Sequence, residues 1–216
     1  MAVLTHALTT DPSSTLSLIA VAVVGGYLLG SIPFGVIATR LGGAGDIRAI
    51  GSGNIGATNV LRTGRRDLAA ITLLGDGAKG AVAVLLAGWL LGPATAVFAG
   101  GAAFLGHLFP VWLKFRGGKG MATFFGILFA IAWPVGLAAG AIWLAVAAIF
   151  RLSSLASLTA AAWSPILLIL LHQSTTARLF LALGMAILIF IRHHQNIRRL
   201  MKNEEPRIGA KASAAP

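Results

Sequence analysis

Residues 107–120 read His107-Leu-Phe-Pro-Val-Trp-Leu-Lys-Phe-Arg-Gly-Gly-Lys-Gly120, and apolar stretches flank them on both sides. One proline, three cations and three glycines within fourteen residues make a poor membrane span. They suit a pocket for an anion, because glycine backbone lets a phosphate approach closely while Lys or Arg supplies charge. Two other stretches, 46–66 and 192–207, share this character. The expectation is that all three lie on one side of a membrane and converge on phosphate groups.

Composition supports the membrane. The chain of 216 residues is 57% hydrophobic and only 11% charged, with a mean hydropathy of +0.86. Soluble domains run near about 25% charged. There is no cysteine, so disulfide and thiolate chemistry are excluded. The net charge of +11 rests on few residues and must be concentrated somewhere. In a polytopic protein such a patch points to anionic lipid or a phosphorylated substrate rather than to nucleic acid. No Lys or Arg precedes Arg40, so the N-terminus lacks the basic region of a secretory signal and reads as a mature tail.

Residues 1–15 form a short polar tail. Apolar runs follow at 16–39, 67–91, 94–113, 119–133, 134–150, 155–171 and 177–191, punctuated by Leu91-Gly92-Pro93, Trp133-Pro134 and other polar breaks. The expected fold is all-α: a polytopic integral membrane protein of seven transmembrane helices, some short. The pair 119–133 and 134–150 could alternatively form a re-entrant hairpin. With the N-terminus outside and seven crossings, the cytoplasmic segments hold Arg40, Arg48, Arg62, Arg65, Arg66, Lys114, Arg116, Lys119, Arg151 and the basic tail. The outer loops hold only Arg178. That asymmetry obeys the positive-inside rule, and it puts the C-terminus in the cytoplasm. One membrane domain covers 1–203, and 204–216 is a polar tail.

The first polar stretch contains Gly51-Ser52-Gly53-Asn54-Ile55-Gly56, a match to the dinucleotide fingerprint G-x-G-x-x-G. The fingerprint requires a preceding strand and a βαβ unit; a span precedes it here, and the reading is rejected. What survives is local. Gly51, Ser52, Gly53, Asn54, Thr58 and Asn59 offer N–H, amide and hydroxyl donors, with Arg62 downstream, so the loop can wrap a phosphate or simply cap the end of a span. In the central stretch, Gly117-Gly118-Lys119-Gly120 lacks the Ser or Thr that follows the lysine of a Walker loop, which argues against an NTPase. Lys119 is either an anion binder at a helix start or a topology anchor. Asp76 and Lys79, three apart on one helical face, are expected to neutralise one another inside the membrane. His107 reads as a structural hydrogen bonder.

In the third stretch, His193, Asn196 and Leu200 share a helical face while Arg198 and Arg199 can meet lipid headgroups. The five histidines are scattered without metal-ligand spacing, so no metal and no cofactor are expected. No Ser stands in G-x-S-x-G, and neither His107 nor His193 is followed five residues on by Asp.

Together these motifs resemble one family, the bacterial acyl-phosphate-dependent glycerol-3-phosphate acyltransferases of the PlsY type. The matching pieces are Gly51 to Asn59 with Arg62, then Gly106 to Pro110 and Phe115 to Gly120 continuing to Ala122-Thr123, then Arg192-His193 with Asn196 to Leu200. Gly30 to Gly35 and Ser154 to Ser157 are lesser matches. Order and spacing agree along almost the whole chain; Arg116 stands where Lys is the commoner residue, and the tail after Asn203 is looser. The resemblance implies an inner-membrane enzyme transferring a fatty acyl group from acyl phosphate to the 1-hydroxyl of glycerol 3-phosphate. The products would be lysophosphatidate and inorganic phosphate, made at the cytoplasmic face. It carries catalytic roles onto Ser52, Arg62, Lys119, His193 and Asn196. The loop glycines Gly51, Gly53, Gly117, Gly118 and Gly120, with Asn54, Thr58, Asn59 and Ser154, would bind substrate phosphate. His193 would be a general base or a positioner. Membrane lipids are the only other partners implied, with no obligate protein partner and no nucleic acid.

The residue inventory suits that chemistry. Both substrates bear a phosphate, and an acyl phosphate is already activated, so positioning and electrostatics can carry catalysis without a covalent intermediate. The rival from another class is a transporter or channel for phosphate-bearing anions. It predicts cations along a path through the bilayer, whereas Lys79 is the only cation away from the ends of an expected span. A lipid-binding scaffold would explain the basic tail but not the glycine motifs.

Overall fold

The computed structural model describes residues 12–209; expectations for 1–11 and 210–216 lie outside the described residues. The described chain is helical throughout, with loops and turns between. Helix α1 (Pro12–Gly30) is followed by α2 (Phe34–Leu41), the short α3 (Ala57–Val60), α4 (Arg66–Leu91), α5 (Pro93–Leu108) and α6 (Met121–Ile131). Then come α7 (Trp133–Phe150), α8 (Ser153–Leu170), α9 (Thr176–Arg192) and α10 (His194–Met201). Every expected apolar run contains or forms a helix. Among the described residues five helical segments are long and apolar enough to cross a membrane, or six if α9 and α10, bent by 62°, count as one. α6, with 11 residues, is only about 16 Å long, short of a hydrocarbon core of about 30 Å.

The run 16–39 is not continuous. Pro33 has no N–H to donate, and Ser31–Pro33 interrupts the first span between α1 and α2. Pro93 and Pro134 open α5 and α7, where a missing N–H costs nothing.

Packing follows the small residues. α1 lies on α5, and a Cβ on Gly30 would come within 2.0 Å of the Ala103 carbonyl oxygen. α4 and α6 approach equally closely, where a Cβ on Gly126 would meet the Gly77 carbonyl at 1.9 Å. Such backbone contact is how helices associate in lipid, where apolar side chains gain nothing by leaving one another's company. The larger core joins Phe104 and Leu108 of α5, Phe124 and Ile127 of α6, and Leu168, Met185 and Ile189 of α8 and α9. The opposite faces stay apolar: Leu16, Val21, Leu74, Leu85, Leu144, Ile149, Phe180 and Ile187 are all exposed, as a lipid-facing surface requires.

A second small core (Val36, Ile47, Ile55, Val60, Leu68, Ala69) seats the loop 42–65 against α2 and α4. That seating brings the first polar stretch to the central one.

Candidate active site

The loop after α2 is built around one side chain. The Asn59 amide nitrogen faces the carbonyls of Ile47, Ile50 and Asn54 at 3.2, 2.8 and 2.9 Å, and its Oδ1 accepts from the Ser52 N–H at 3.0 Å. Asn54 Oδ1 accepts from the Gly56 N–H at 2.9 Å. The donors of Asn59 are therefore turned onto the loop's own backbone. Gly51, at φ +55°, lies under Arg62: a Cβ there would come within 3.2 Å of a guanidinium nitrogen. Ser52 and Thr58 are exposed, and Arg62 is half-buried.

The central stretch leaves α5 and turns through Lys114 and Phe115, both at positive φ. The Gly117 and Gly118 N–H groups donate to the carbonyls of Leu108 and His107, both at 3.1 Å. Arg192 grips the other side of the same peptides: its Nη2 donates to the Gly117 carbonyl at 2.7 Å and its Nε to the Gly118 carbonyl at 3.1 Å. The Arg192 guanidinium also lies 5.7 Å from the Phe109 ring centroid, in cation–π reach. Gly120 caps α6 at φ +87°, a conformation that favours glycine.

Lys119 leaves this clamp to meet the third stretch. Its Nζ donates to Asn196 Oδ1 at 2.5 Å, and Asn196 Nδ2 donates to Glu205 Oε1 at 2.6 Å. Arg199 Nε holds the second Glu205 oxygen at 2.6 Å. Because an ammonium only donates and a carboxylate only accepts, the Asn196 amide has one possible orientation. Glu205 is held by its chain too, since the Ile208 N–H donates to the Arg151 carbonyl at 2.7 Å, between α7 and α8. The buried Ser154 hydroxyl lies beside this carboxylate without a well-formed hydrogen bond. Burial acts to raise the Glu205 carboxyl, but the donors of Asn196, Ser154 and Arg199 outweigh it and bring the group below its ordinary value.

Burial pulls the Lys119 ammonium down to about 8; Arg199, Arg62 and Arg192 push the same way, while Glu205 opposes. His193 stands just past the end of α9. Burial first, then the Lys119 charge, lowers it to about 4. Its Nδ1 lies 2.8 Å from the Ile189 carbonyl. A carbonyl can only accept, so Nδ1 carries the hydrogen and Nε2 is left as an acceptor.

The three stretches do converge. Lys119 bonds Asn196, Arg192 clasps Gly117 and Gly118, and Arg62 and His193 lie within electrostatic reach of Lys119. Beside them a cleft of about 640 Å³ is lined from all three stretches, by Asp46 with its partner Arg48, and by Gly53, Phe115, Arg116, Gly117 and Arg192; Ser52, Arg62, Lys119, His193 and Asn196 do not line it. Sequence reasoning missed Glu205 and the clamping role of Arg192. One signal was available: Glu204 and Glu205 are the only acids after Asp76. Among the described residues no group of three potential metal ligands occurs.

A bundle of helices with lipid-facing surfaces, bearing a cluster of cations where three loop stretches meet, defines an integral membrane protein suited to phosphate-bearing molecules. The family model described as glycerol-3-phosphate acyltransferase matches residues 20–203. The chain belongs to that family, and is thus an acyltransferase of the membrane rather than a transporter. It is 67% identical over 198 residues to the glycerol-3-phosphate acyltransferase of Caulobacter vibrioides, covering 91% of this chain and 90% of the relative. The Cereibacter sphaeroides enzyme is 60% identical, covering 93% of this chain and 94% of the relative. Among solved structures, the glycerol 3-phosphate form of PlsY, an integral membrane glycerol 3-phosphate acyltransferase, superposes with a TM-score of 0.82 at 38% identity, covering 91% of this chain and 96% of that one. Its lysophosphatidic acid form gives 0.81 at 36% identity, covering 88% and 95%.

Proposed function

We infer that the enzyme transfers a fatty acyl group from acyl phosphate to the 1-hydroxyl of glycerol 3-phosphate, at the cytoplasmic face of the bacterial inner membrane. In this reading the chain crosses seven times with its N-terminus outside, α1 and α2 making one span and α4 to α9 the others. The domain through residue 203 and the start of the polar tail act as one unit, because Glu205 belongs to the site. The two solved forms of PlsY, one with glycerol 3-phosphate and one with lysophosphatidic acid, support acceptor and product.

The observation that carries the reading is the Lys119–Asn196–Glu205 chain of contacts beside Arg62 and Arg192. It gathers Lys119, Arg62, Arg192 and Arg199 within electrostatic reach of one another, as neutralising a phosphate requires. The acceptor oxygen attacks the acyl carbonyl carbon, the bond from that carbon to the phosphate oxygen breaks, and the hydroxyl proton ends on the departing phosphate. Lys119 and Arg62 neutralise the phosphates, with Ser52 on the exposed loop adding a hydroxyl donor. Asn59 and Asn54 shape that loop around Gly51 and Gly53, and Thr58 faces the open side. Gly117, Gly118 and Gly120 let the loop pack close onto α5, where a Cβ would meet the His107 carbonyl, the His107 ring and the Phe104 ring respectively, and so hold Lys119 in place. Ser154 backs Glu205, which fixes Asn196.

His193 orients the acceptor hydroxyl through Nε2. Held near 4, it is a weak base, whereas the leaving phosphate has a second pKa near about 6 and takes the proton more readily. No cofactor and no protein partner enter the reaction as drawn. Purified protein given acyl phosphate and glycerol 3-phosphate is expected to release inorganic phosphate and form lysophosphatidate. Lys119→Ala and Arg62→Ala should each lose about 100-fold or more of that turnover while remaining folded. Near-normal turnover in either would refute the assignment.

A further inference from the structure

Below the glycine loop, three ionisable side chains lie together in the apolar interior: Asp76 and Lys79 of α4 and His107 of α5, at 1%, 3% and 3% exposure. Acyl transfer in the site above has no direct use for them. Ionisable groups at such depth are costly to bury, so they are retained for a reason that can be sought in what they touch. Lys79 Nζ donates to Asp76 Oδ1 at 2.7 Å and to the Ile32 carbonyl at 2.8 Å, closing the break between α1 and α2. The Thr123 hydroxyl donates to the Asp76 carbonyl at 2.8 Å, tying the start of α6 to the same point. Those contacts explain two members of the group as a brace.

His107 is not explained by bracing. Its Nδ1 is buried and has no hydrogen-bond partner among the described residues; the Asp76 carboxylate faces it at 3.6 Å. Its ring lies directly beneath the loop, for a Cβ on Gly118 would come within 2.2 Å of Nε2. Its own carbonyl and that of Leu108 receive the Gly118 and Gly117 N–H groups. From the far side Arg192 holds the carbonyls of the same two glycines. Lys119 is the next residue, so the height and tilt of its peptide are set between Arg192 and the ring of His107.

We propose that His107, oriented by the Asp76 carboxylate, is a positioning residue that carries the Gly117–Gly118 loop at the height where Lys119 reaches Asn196 and the substrate phosphate. The attraction between the carboxylate and the ring N–H fixes the rotation of the ring, and the flat face of Gly118 rests on its edge. A ring without nitrogen fills the same space but has nothing to hold its rotation. This proposal rests on the reading of Lys119 as a phosphate-binding group.

The experiment is steady-state kinetics for both substrates on purified His107→Phe and His107→Asn, beside thermal midpoints. In His107→Phe the KM for a phosphate-bearing substrate should rise about ten-fold or more, the effect of weakening one hydrogen bond to a charged group, with the midpoint near that of the parent. His107→Asn keeps an amide N–H toward Asp76 but withdraws the ring edge from under Gly118, so its KM should rise as well, and a wild-type KM there would overturn the contact. Wild-type KM values for both substrates in His107→Phe would overturn the proposal at any folded yield, because a merely structural role lowers the amount of active protein and leaves KM alone. A double-mutant cycle approaches the contact from the other side. Gly118→Ala should raise KM by pressing on the ring, and adding His107→Ala should relieve part of that defect; defects that multiply would overturn the contact. Full turnover in Lys119→Ala would remove the site reading and this proposal with it. An inactive Lys119→Ala beside an unchanged KM in His107→Phe would overturn this proposal alone.

Discussion

Replacing Asn196 by Asp changes one atom in shape and reverses one hydrogen bond. The acceptor toward Lys119 survives, but the amide N–H that Glu205 receives at 2.6 Å becomes a carboxylate oxygen facing a carboxylate. Two like charges about 3 Å apart at an effective dielectric of about 20 repel by roughly 5 kcal/mol. At 1.36 kcal/mol per unit, that alone would carry an ordinary carboxyl near 4 up by about 4 units. Lys119 and Arg199 offset part of this, so the new pair should take up a proton between about pH 5 and 7. Above that range both groups are charged, a charge-assisted hydrogen bond is missing, and a penalty of about 3 kcal/mol corresponds to a kcat/KM roughly 100-fold below the parent. Below it the introduced carboxyl carries an O–H that donates to Glu205 as the amide did, and the deficit should narrow to about 10-fold. Asn196→Ala has no such group, so its deficit should be flat with pH. The assay is initial phosphate release from acyl phosphate and glycerol 3-phosphate across this range, each variant divided by wild type at the same pH. Asn196→Asp at wild-type rate in mild alkali, or a deficit as flat as that of Asn196→Ala, would refute the bridging role.

Two further outcomes follow from the electrostatics of the site. Lys119 is held near 8, so its positive charge is complete below that pH and is lost above it. The KM for a phosphate-bearing substrate should therefore climb by up to about ten-fold per pH unit on the alkaline side, and Lys119→Arg should flatten the climb; a KM constant well past that point in wild type would count against Lys119. His193, held near 4 and neutral across the working range, should act by orientation. His193→Gln is expected to lower kcat by about 10- to 100-fold while leaving the acidic limb of the pH–rate profile unchanged. An acidic limb that vanishes in the variant would restore His193 as the base.

The apolar runs were legible because lipid demands about 20 apolar residues per crossing and little else looks like that. Pro93 and Pro134 marked helix starts for the reason given by their missing N–H. Pro33, in the same kind of position, was absorbed into a single run 16–39, since hydropathy averages over a break of three residues. Lys119 stood out among its glycines, and His193 and Asn196 were legible as a buried polar pair, although the chain bends by 62° at His193 instead of carrying both on one continuous helix. Asn59 could not be assigned from spacing: an amide in a polar loop can turn to a ligand or to its own backbone, and only the closed loop shows which. Glu205 was hidden for a related reason. A glutamate beside a proline in a basic tail reads as solvated, and its burial depends on the chain turning back at Asn203, which sits at φ +58°.

The pairing of Asp76 with Lys79 has a consequence for how the protein is made. Both residues belong to α4, three positions apart, so the helix brings its own counter-ion as it leaves the ribosome. A lone lysine at that depth would wait, uncompensated, for a neighbour synthesised later, whereas this segment can enter the bilayer nearly neutral and only afterwards find Ile32 and His107. Biogenesis can then proceed one hairpin at a time, with the charged floor beneath the glycine loop laid down before the loop itself is translated.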